Sequence, residues 1–168
     1  MLITLEVFTI FLVAVTMGLA LAHALEFPGK LRLDEQTYLT VQTIYYPGFT
    51  IGGAAEPLAV LATLALLVAT SKGHTQFWLI FTAVCGVVGV QIVFWFVIQP
   101  ANRVWLRNQE LGLAAARFFS VDQRKQQAEG NRIDSDWQRL RNRWEYSHLV
   151  RAVLSAISLF ALVIAVAR

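Results

Sequence analysis

Two histidines and three carboxylates in this sequence have the spacing of a metal or acid–base site. His23 and Glu26 are three residues apart. Glu145 and His148 repeat that spacing in the reverse order. Residues three apart lie on one face of an α-helix, so each pair presents a ring nitrogen beside a carboxylate. With Glu56 from another segment, the set predicts either ligation of a metal ion or general acid–base catalysis.

The composition of this set favours one metal ion over two. Helix bundles that hold two iron or manganese ions usually offer four carboxylates and two histidines. Only Glu26, Glu56 and Glu145 accompany the histidines here, so a single iron or copper ion is the metal prediction. Two histidines on facing helices are alternatively suited to axial ligation of a haem. A pocket without any cofactor is a third alternative.

Other polar and aromatic side chains complete the predicted site. In a catalytic site, His148 or His23 would act as the base, and Glu56 would adjust proton transfer. Arg151 and Asn102 would hold a developing oxyanion. The predicted catalytic residues are His148, Arg151, Asn102 and Glu56, and the predicted substrate-binding residues are Gln91, Trp95 and Trp144. A purely structural network is also open, in which Glu56 pairs with Arg151 and the two histidines hydrogen-bond across the bundle.

Membrane-spanning helices must position these residues. The chain has 168 residues, of which 57% are hydrophobic and 15% are charged, and a mean hydropathy of +0.55. Its apolar runs match the ~20 residues that a helix needs to cross a bilayer. We predict an all-α, four-helix membrane bundle that forms a single domain over residues 1–168. The predicted spans are residues 2–25, 49–70, 77–98 and 148–167.

The connections between the spans also carry predictions. Residues 34–46 suit a short interfacial helix between two Pro-Gly pairs. The long polar connection between spans three and four predicts cytoplasmic helical extensions around a break near Gly130-Asn131. Ser135 and Gln138 form a capping box, so the fourth helix is expected to begin near Asp136 and to continue into the membrane. Cys85 is the only cysteine, and we expect it to be buried in span three.

The basic residues predict the orientation of the bundle. Two of them, Lys72 and Arg168, fall on one side, and the others in the connections fall on the opposite side. These others are Lys30, Arg32, Arg103, Arg107, Arg117, Arg124, Lys125, Arg132, Arg139, Arg141 and Arg143. By the positive-inside rule, the large connection is cytoplasmic and both termini face outward. This distribution explains the net charge of +3 without nucleic-acid binding.

Each span carries a stripe of polar residues at helical spacing. Ionisable groups are costly in lipid and usually turn toward the bundle interior or a water-filled cavity. We therefore expect the four stripes to meet in a polar chamber near one mouth of the bundle. The stripes are Thr9, Thr16 and His23 in span one; Gly52, Glu56, Thr63 and Thr70 in span two; Gln91, Trp95, Gln99 and Asn102 in span three; and Trp144, His148, Arg151, Ser155 and Ser158 in span four.

The chain resembles the anthrone oxygenase-like family of small four-span membrane proteins. The likeness covers nearly the whole chain and includes Pro100-Ala101-Asn102-Arg103 and Trp144-x-x-x-His148-x-x-Arg151. It implies that Asn102, Trp144, His148 and Arg151 belong to the family's polar site. Characterised fungal relatives oxidise anthrones to anthraquinones with molecular oxygen. The segment from His23 to Pro28 is similar to a feature of a bacterial subgroup, which implies a bacterial inner membrane.

We therefore expect a membrane-embedded oxidoreductase that acts on a lipophilic aromatic or quinone-like substrate. The alternative is a non-catalytic accessory or assembly subunit of a larger membrane complex, which would co-purify with fixed partners. A homo-oligomer is compatible with both functions. A transporter is disfavoured, because the four spans contain no detectable inverted repeat.

Overall fold

Four helical segments of the protein are long and apolar enough to cross a membrane. The computed structural model describes residues 2–45, 47–105 and 137–167. The four segments are Leu2–Lys30, Gly48–Ala69, Thr75–Arg103 and Trp137–Val166. They confirm the predicted all-α architecture with four spans. The predicted break near Gly130-Asn131 and the Ser135 side of the capping box lie outside the described residues.

The described elements are all helical. In chain order they are α1 (Leu2–Lys30), α2 (Glu35–Gln42), a 3₁₀ turn (Thr43–Tyr45), α3 (Gly48–Gly52), α4 (Ala55–Ala69), α5 (Thr75–Val93), a π-helical segment (Phe94–Ile98), α6 (Gln99–Trp105) and α7 (Trp137–Val166). α1 and α5 each pack against both α4 and α7. The spans therefore follow one another around the bundle in the order α1, α4, α5 and α7.

The second span is divided between α3 and α4, and the division sets the position of Glu56. Pro57 has no N–H group to donate to the preceding turn, and proline is accepted only near the start of a helix. The backbone N–H of Glu56 instead donates to the carbonyl of Gly53 at 3.1 Å. A new helix thus begins at Ala55, with the Glu56 side chain in its first turn.

The connection after span one contains the predicted short helix. Asp34 caps α2, because its side chain accepts a hydrogen bond from the backbone N–H of Thr37 at 2.8 Å. This bond holds the pKa of the Asp34 carboxyl below its ordinary value. The helix is amphipathic enough to bury Tyr38 completely against the bundle. The helix itself was predicted correctly.

The half of the bundle that contains the chain termini, here called the terminal half, has an apolar core. Leu12, Val13, Leu66, Ile80 and Leu162 are its central residues and are at most 5% exposed. α5 approaches α7 closely, since a Cβ atom at Gly86 would lie 2.9 Å from the carbonyl oxygen of Leu154. The absence of a side chain at Gly86 therefore lets α5 and α7 pack closely together, as small residues do in membrane helices.

The outer surface of the bundle is apolar. Val68, Ile3 and Phe96 are 73–87% exposed, which is typical of side chains that face lipid rather than water. The chain is an integral membrane protein. Cys85 is also exposed, so the prediction that it is buried in span three is wrong. It lies on the outward side of α5, next to the buried Val84 and Gly86.

Candidate functional site

Two histidines from different spans meet at the centre of the candidate site. His23 comes from the last third of α1, and His148 comes from the middle of α7. Their ring centroids are 4.1 Å apart. The two residues are only 5% and 3% exposed, so bulk water does not reach their rings in this state.

Aromatic rings enclose the histidine pair. The Trp144 ring lies 4.2 Å from the ring of His148 and 5.0 Å from that of His23. Tyr45 and Phe49 lie 4.5 Å and 4.6 Å from His23. These two residues belong to short elements between spans one and two rather than to a long helix. The imidazoles therefore lie in an apolar, π-rich environment that suits a flat aromatic ligand.

Arg151 connects the histidine pair to a carboxylate. Its guanidinium forms a buried ion pair with Glu56. Its second terminal nitrogen is 3.4 Å from Nδ1 of His148. A guanidinium only donates hydrogen bonds, so Nδ1 of His148 accepts, and in a neutral ring the proton is on Nε2. His148 is therefore a hydrogen-bond donor toward any ligand at Nε2.

Three buried nitrogens in this arrangement have no hydrogen-bond partner within the described part of the chain. They are Nδ1 of His23, Nε2 of His148 and Nε of Arg151. Buried polar atoms are nearly always paired in proteins, so several unpaired atoms in one place indicate room for a polar ligand. A ligand bound here would meet the ring nitrogen of His23, the neutral hydrogen-bond donor of His148 and the charged hydrogen-bond donor of Arg151.

A second polar cluster adjoins the histidines at the end of span one. Lys30 is 4% exposed, and its Nζ lies 2.9 Å from the Glu26 carboxylate and 3.6 Å from that of Glu145. The ammonium group also lies over the rings of Tyr45 and Trp144, at 4.6 Å and 5.0 Å from their centroids. Two carboxylates and two ring faces thus compensate for the burial of this cation.

Two tyrosines attach the connection between spans one and two to this cluster. The Tyr38 hydroxyl donates to Glu145 at 2.9 Å, and the Tyr45 hydroxyl donates to Glu26. Burial, together with the adjacent carboxylate, raises the pKa of both Tyr38 and Tyr45 well above the ordinary value for tyrosine. Both hydroxyls therefore remain protonated donors at physiological pH.

Comparison with known proteins identifies the family. The family model described as "Anthrone oxygenase" matches residues 42–161, more than half of the chain. The chain belongs to the anthrone oxygenase family. No curated protein and no solved structure matches it significantly. The matched segment includes Glu56, Asn102, Trp144, His148 and Arg151, whereas His23, Glu26 and Lys30 precede it.

The carboxylates of this anthrone oxygenase family member are not arranged as metal ligands. Within the described residues, no group of three or more His, Cys, Asp or Glu side chains is placed to hold a metal ion. Glu56 pairs with Arg151, and Glu26 and Glu145 both face Lys30. The predicted single-metal set therefore does not fit this geometry, because cations of the protein already occupy its carboxylates. The pairing of Glu56 with Arg151 agrees with the structural alternative.

The histidine pair does not fit axial ligation of a haem either. In that arrangement the iron and the porphyrin lie between the two imidazoles, each of which binds the iron through one nitrogen. The rings of His23 and His148 are instead in van der Waals contact, with centroids 4.1 Å apart. A porphyrin plane has no space between them.

Asn102 reaches the site through Trp144. Its Oδ1 accepts a hydrogen bond from Nε1 of Trp144 at 2.9 Å. That bond fixes the indole ring that packs against both histidines. Asn102 is thus placed to orient a wall of the site, and its amide nitrogen remains the only part suited to the predicted oxyanion contact.

Gln91 and Trp95 do not join the other predicted site residues. Trp95 is 50% exposed and donates to Gln91 at 3.1 Å. Both line a groove of about 370 Å³ on the outside of the bundle. The groove is otherwise lined by Val60, Val88, Ile92 and Phe96. The prediction that they line the polar chamber is wrong for this structure, because the π-helical segment separates their face of span three from the face of Gln99 and Asn102, which follow the segment.

A π-turn contains more residues than an α-turn, so the helix before it and the helix after it differ in register. Residues that an unbroken α-helix would align are therefore separated. Gln99, which follows the segment Phe94–Ile98, is 1% exposed. Trp95, within the segment, faces outward. The segment itself consists of bulky apolar residues, and the one local signal in the sequence is Pro100, which follows it and has no N–H to donate to the carbonyl of Phe96.

Sequence reasoning also missed several residues that complete the site. Lys30 was taken only as an orientation charge, although its spacing of four from Glu26 is that of a helical ion pair. The sequence prediction places Tyr38 and Tyr45 in the connection or at the membrane interface, and Phe49 at the start of span two. Their contacts with the site depend on how the connection folds back onto the bundle, and neither helical periodicity nor hydropathy contains that information.

Proposed function

We propose that this protein is a membrane-embedded oxygenase that oxidises an activated methylene group of an anthrone-like aromatic ketone with molecular oxygen. Membership of the family supports the reaction class. The observation that carries the proposal is the buried pair His23 and His148, next to Arg151 and surrounded by aromatic rings. Such a site combines a base, two hydrogen-bond donors and aromatic ring faces that stack on a flat apolar substrate.

The residues have distinct roles in this proposal. His23 is the base, because its ring receives no hydrogen bond from another residue in the described part of the chain. Nε2 of His148 and the guanidinium of Arg151 donate to the ketone oxygen as negative charge develops on it. Glu56 balances the charge of Arg151, and Trp144 forms a wall for the substrate ring.

The proposed reaction is balanced without a further reductant. His23 removes one proton from the methylene carbon, and the resulting carbanion forms a C–O bond with dioxygen. The proton returns to the outer oxygen and gives a hydroperoxide. Loss of the second C–H proton and cleavage of the O–O bond then give a carbonyl group and water. The carbon loses four electrons, and the oxygen molecule gains them.

Tyr45 and Phe49 are the rings that we expect to move when the substrate binds. The rings around His23 are in contact with one another, so a tricyclic ligand must displace some of them. Tyr45 lies in a three-residue turn and Phe49 in a five-residue helix, whereas Trp144 and His148 lie on a 30-residue helix. Displacing a short element breaks fewer backbone hydrogen bonds than displacing a long one.

Purified protein in lipid nanodiscs, supplied with anthrone as the probe, tests the proposal. We expect oxygen uptake and anthraquinone formation above the protein-free rate, with one atom of ¹⁸O₂ in each quinone. His23→Gln should lower kcat by about 100-fold or more, the usual contribution of a general base. His148→Gln should lower kcat by a smaller factor, because glutamine retains a hydrogen-bond donor. His74→Ala is the matched control, since His74 is exposed in the turn before α5.

Three results would refute the mechanism. The first is a wild-type rate that does not exceed the protein-free rate with anthrone. The second is equal turnover by the wild-type protein and His23→Gln. A quinone labelled from water instead of ¹⁸O₂ would also exclude an oxygenase.

The proposal includes an orientation in which the long connection is cytoplasmic and both termini face outward in a bacterial inner membrane. The distribution of basic residues supports this orientation. Lys72, exposed between spans two and three, should then react with a membrane-impermeant amine reagent in intact spheroplasts. Protection of Lys72 in spheroplasts, with labelling only after lysis, would reverse the orientation.

A further inference from the structure

Glu26 is the carboxylate that faces the ring of the proposed base. Its Oε2 lies 3.9 Å from Nδ1 of His23. Hydrogen bonds of this type need about 3 Å, so the two groups are in electrostatic contact and Nδ1 remains unpaired. Glu145, the other carboxylate near this end of the site, is bound to Lys30 and Tyr38. Among the described residues, Glu26 is therefore the carboxylate that lies within 4 Å of Nδ1 of His23.

The Glu26 carboxylate is held in a fixed position. The Tyr45 hydroxyl donates to it, and Lys30 contacts the same oxygen at 2.9 Å. Lys30 is itself fixed between Glu26 and Glu145. The raised pKa of Tyr45 keeps its hydroxyl a donor. Two donors on one carboxylate fix its orientation beside the imidazole ring of His23.

We infer that Glu26 is a positioning residue for His23: its carboxylate places the ring proton on Nδ1, so that Nε2 has the free lone pair that removes the substrate proton. The inference rests on the proposed function for its catalytic meaning. Glu26 acts through His23 and contacts no reacting atom. The carboxylate also stabilises the imidazolium that forms after proton removal, because it lies on the opposite side of the ring from the acquired proton.

The tautomer of His23 is measurable without any substrate. The protein contains three histidines, so ¹⁵N-histidine labelling gives a simple spectrum, and His23→Gln identifies the signals of His23 by their loss. We expect wild-type His23 to show a protonated Nδ1 and an unprotonated Nε2. Glu26→Gln should change this to a mixture or to the Nε2–H form, and Glu26→Asp should retain most of the wild-type tautomer.

The kinetic experiment uses the same variants with anthrone. Glu26→Gln should lower kcat by roughly 10-fold or more while KM stays within about twofold, because the substrate does not contact Glu26. Glu26→Asp should recover part of the loss. In the His23→Gln background, Glu26→Gln should have no further effect, since the two residues act as one unit. Glu35→Gln, on α2, is the matched control and should leave kcat unchanged.

The outcomes separate this inference from the proposed function. A wild-type His23 with its proton on Nε2, or a tautomer unaffected by Glu26→Gln, overturns the inference whatever the activity. An inactive wild-type protein with the expected tautomer refutes the oxygenase function and leaves the positioning role of Glu26 supported. Additive losses in the double variant would show that Glu26 acts independently of His23, which also overturns the inference.

Discussion

The terminal half of the bundle and the half that contains the site, the site half, both carry polar side chains in the interior, but they satisfy them differently. In the terminal half, Thr9 and Thr63 donate to backbone carbonyls four residues earlier on their own helices. In the site half, Glu145 bonds to Tyr38, and Glu56 pairs with Arg151 from another span. These two threonine hydroxyls are thus satisfied within their own helices, whereas Glu56 and Glu145 are satisfied by residues that are distant in the chain.

This difference explains which polar residues indicate a function. A buried threonine has little effect on neighbouring helices, since its partner is present wherever the helix forms. The buried ion pair of Glu56 and Arg151, in contrast, forms only when two spans come together. The cross-helix contacts, rather than polarity alone, therefore identify the candidate site. Three variants test this distinction, beginning with the one that should have the largest effect.

Breaking the ion pair between Arg151 and Glu56 should be the most damaging change. Arg151→Met leaves a buried carboxylate without its cation, and such losses cost about 3–5 kcal/mol. SDS titration followed by circular dichroism should show unfolding at a clearly lower SDS fraction. The double variant Arg151→Met/Glu56→Leu is the control and should recover most of the stability. Wild-type stability of Arg151→Met alone would contradict the assigned role of the pair.

Removing the hydroxyl of Tyr38 should have an intermediate effect. Tyr38→Phe removes the donor from a fully buried carboxylate, and hydrogen bonds to charged groups contribute about 1.5–3 kcal/mol. The same SDS titration measures the loss. Tyr146→Phe is the matched control, because Tyr146 is 56% exposed. Equal stability of both variants would show that the bond to Glu145 does not hold α2 against the bundle.

Removing a hydroxyl from the terminal half should have the smallest effect. Thr16 is 1% exposed, and its hydroxyl donates to the Leu12 carbonyl at 2.9 Å. Thr16→Val keeps the shape of the side chain, and the carbonyl keeps its place in the helix, so we expect a change of about 0.5 kcal/mol or less. A loss as large as that of Tyr38→Phe would remove the distinction between the two halves.

The sequence predicts the bundle well because its signals are local. Hydropathy finds the four spans, and helical spacing brings His23, His148 and Arg151 into one interior. The described part of the fourth helix runs unbroken from Trp137 to Val166, and its predicted start near Asp136 lies outside the described residues. Each of these predictions depends only on residues close together in the chain.

The predictions that fail depend on packing or on a change of helix type. The π-helical segment places Gln99 inside and Trp95 outside, and only Pro100, which follows it, marks it in the sequence. The metal prediction fails because Lys30 folds between two of the proposed ligands, Glu26 and Glu145. A lysine near the end of a span looks the same in sequence whether it reaches toward lipid headgroups or turns inward.

The length of α7 has a consequence for where its charged residues lie in the membrane. Its 30 residues extend over roughly 45 Å, while the hydrocarbon layer is only about 30 Å thick. With the end at Val166 at one boundary of this layer, the other boundary falls near Ser147, between Glu145 and His148. With that placement, the segment of α7 before Ser147 extends beyond the hydrocarbon. Glu145 and its partner Lys30 then lie at the boundary of the layer rather than at its centre, where a charge is more costly.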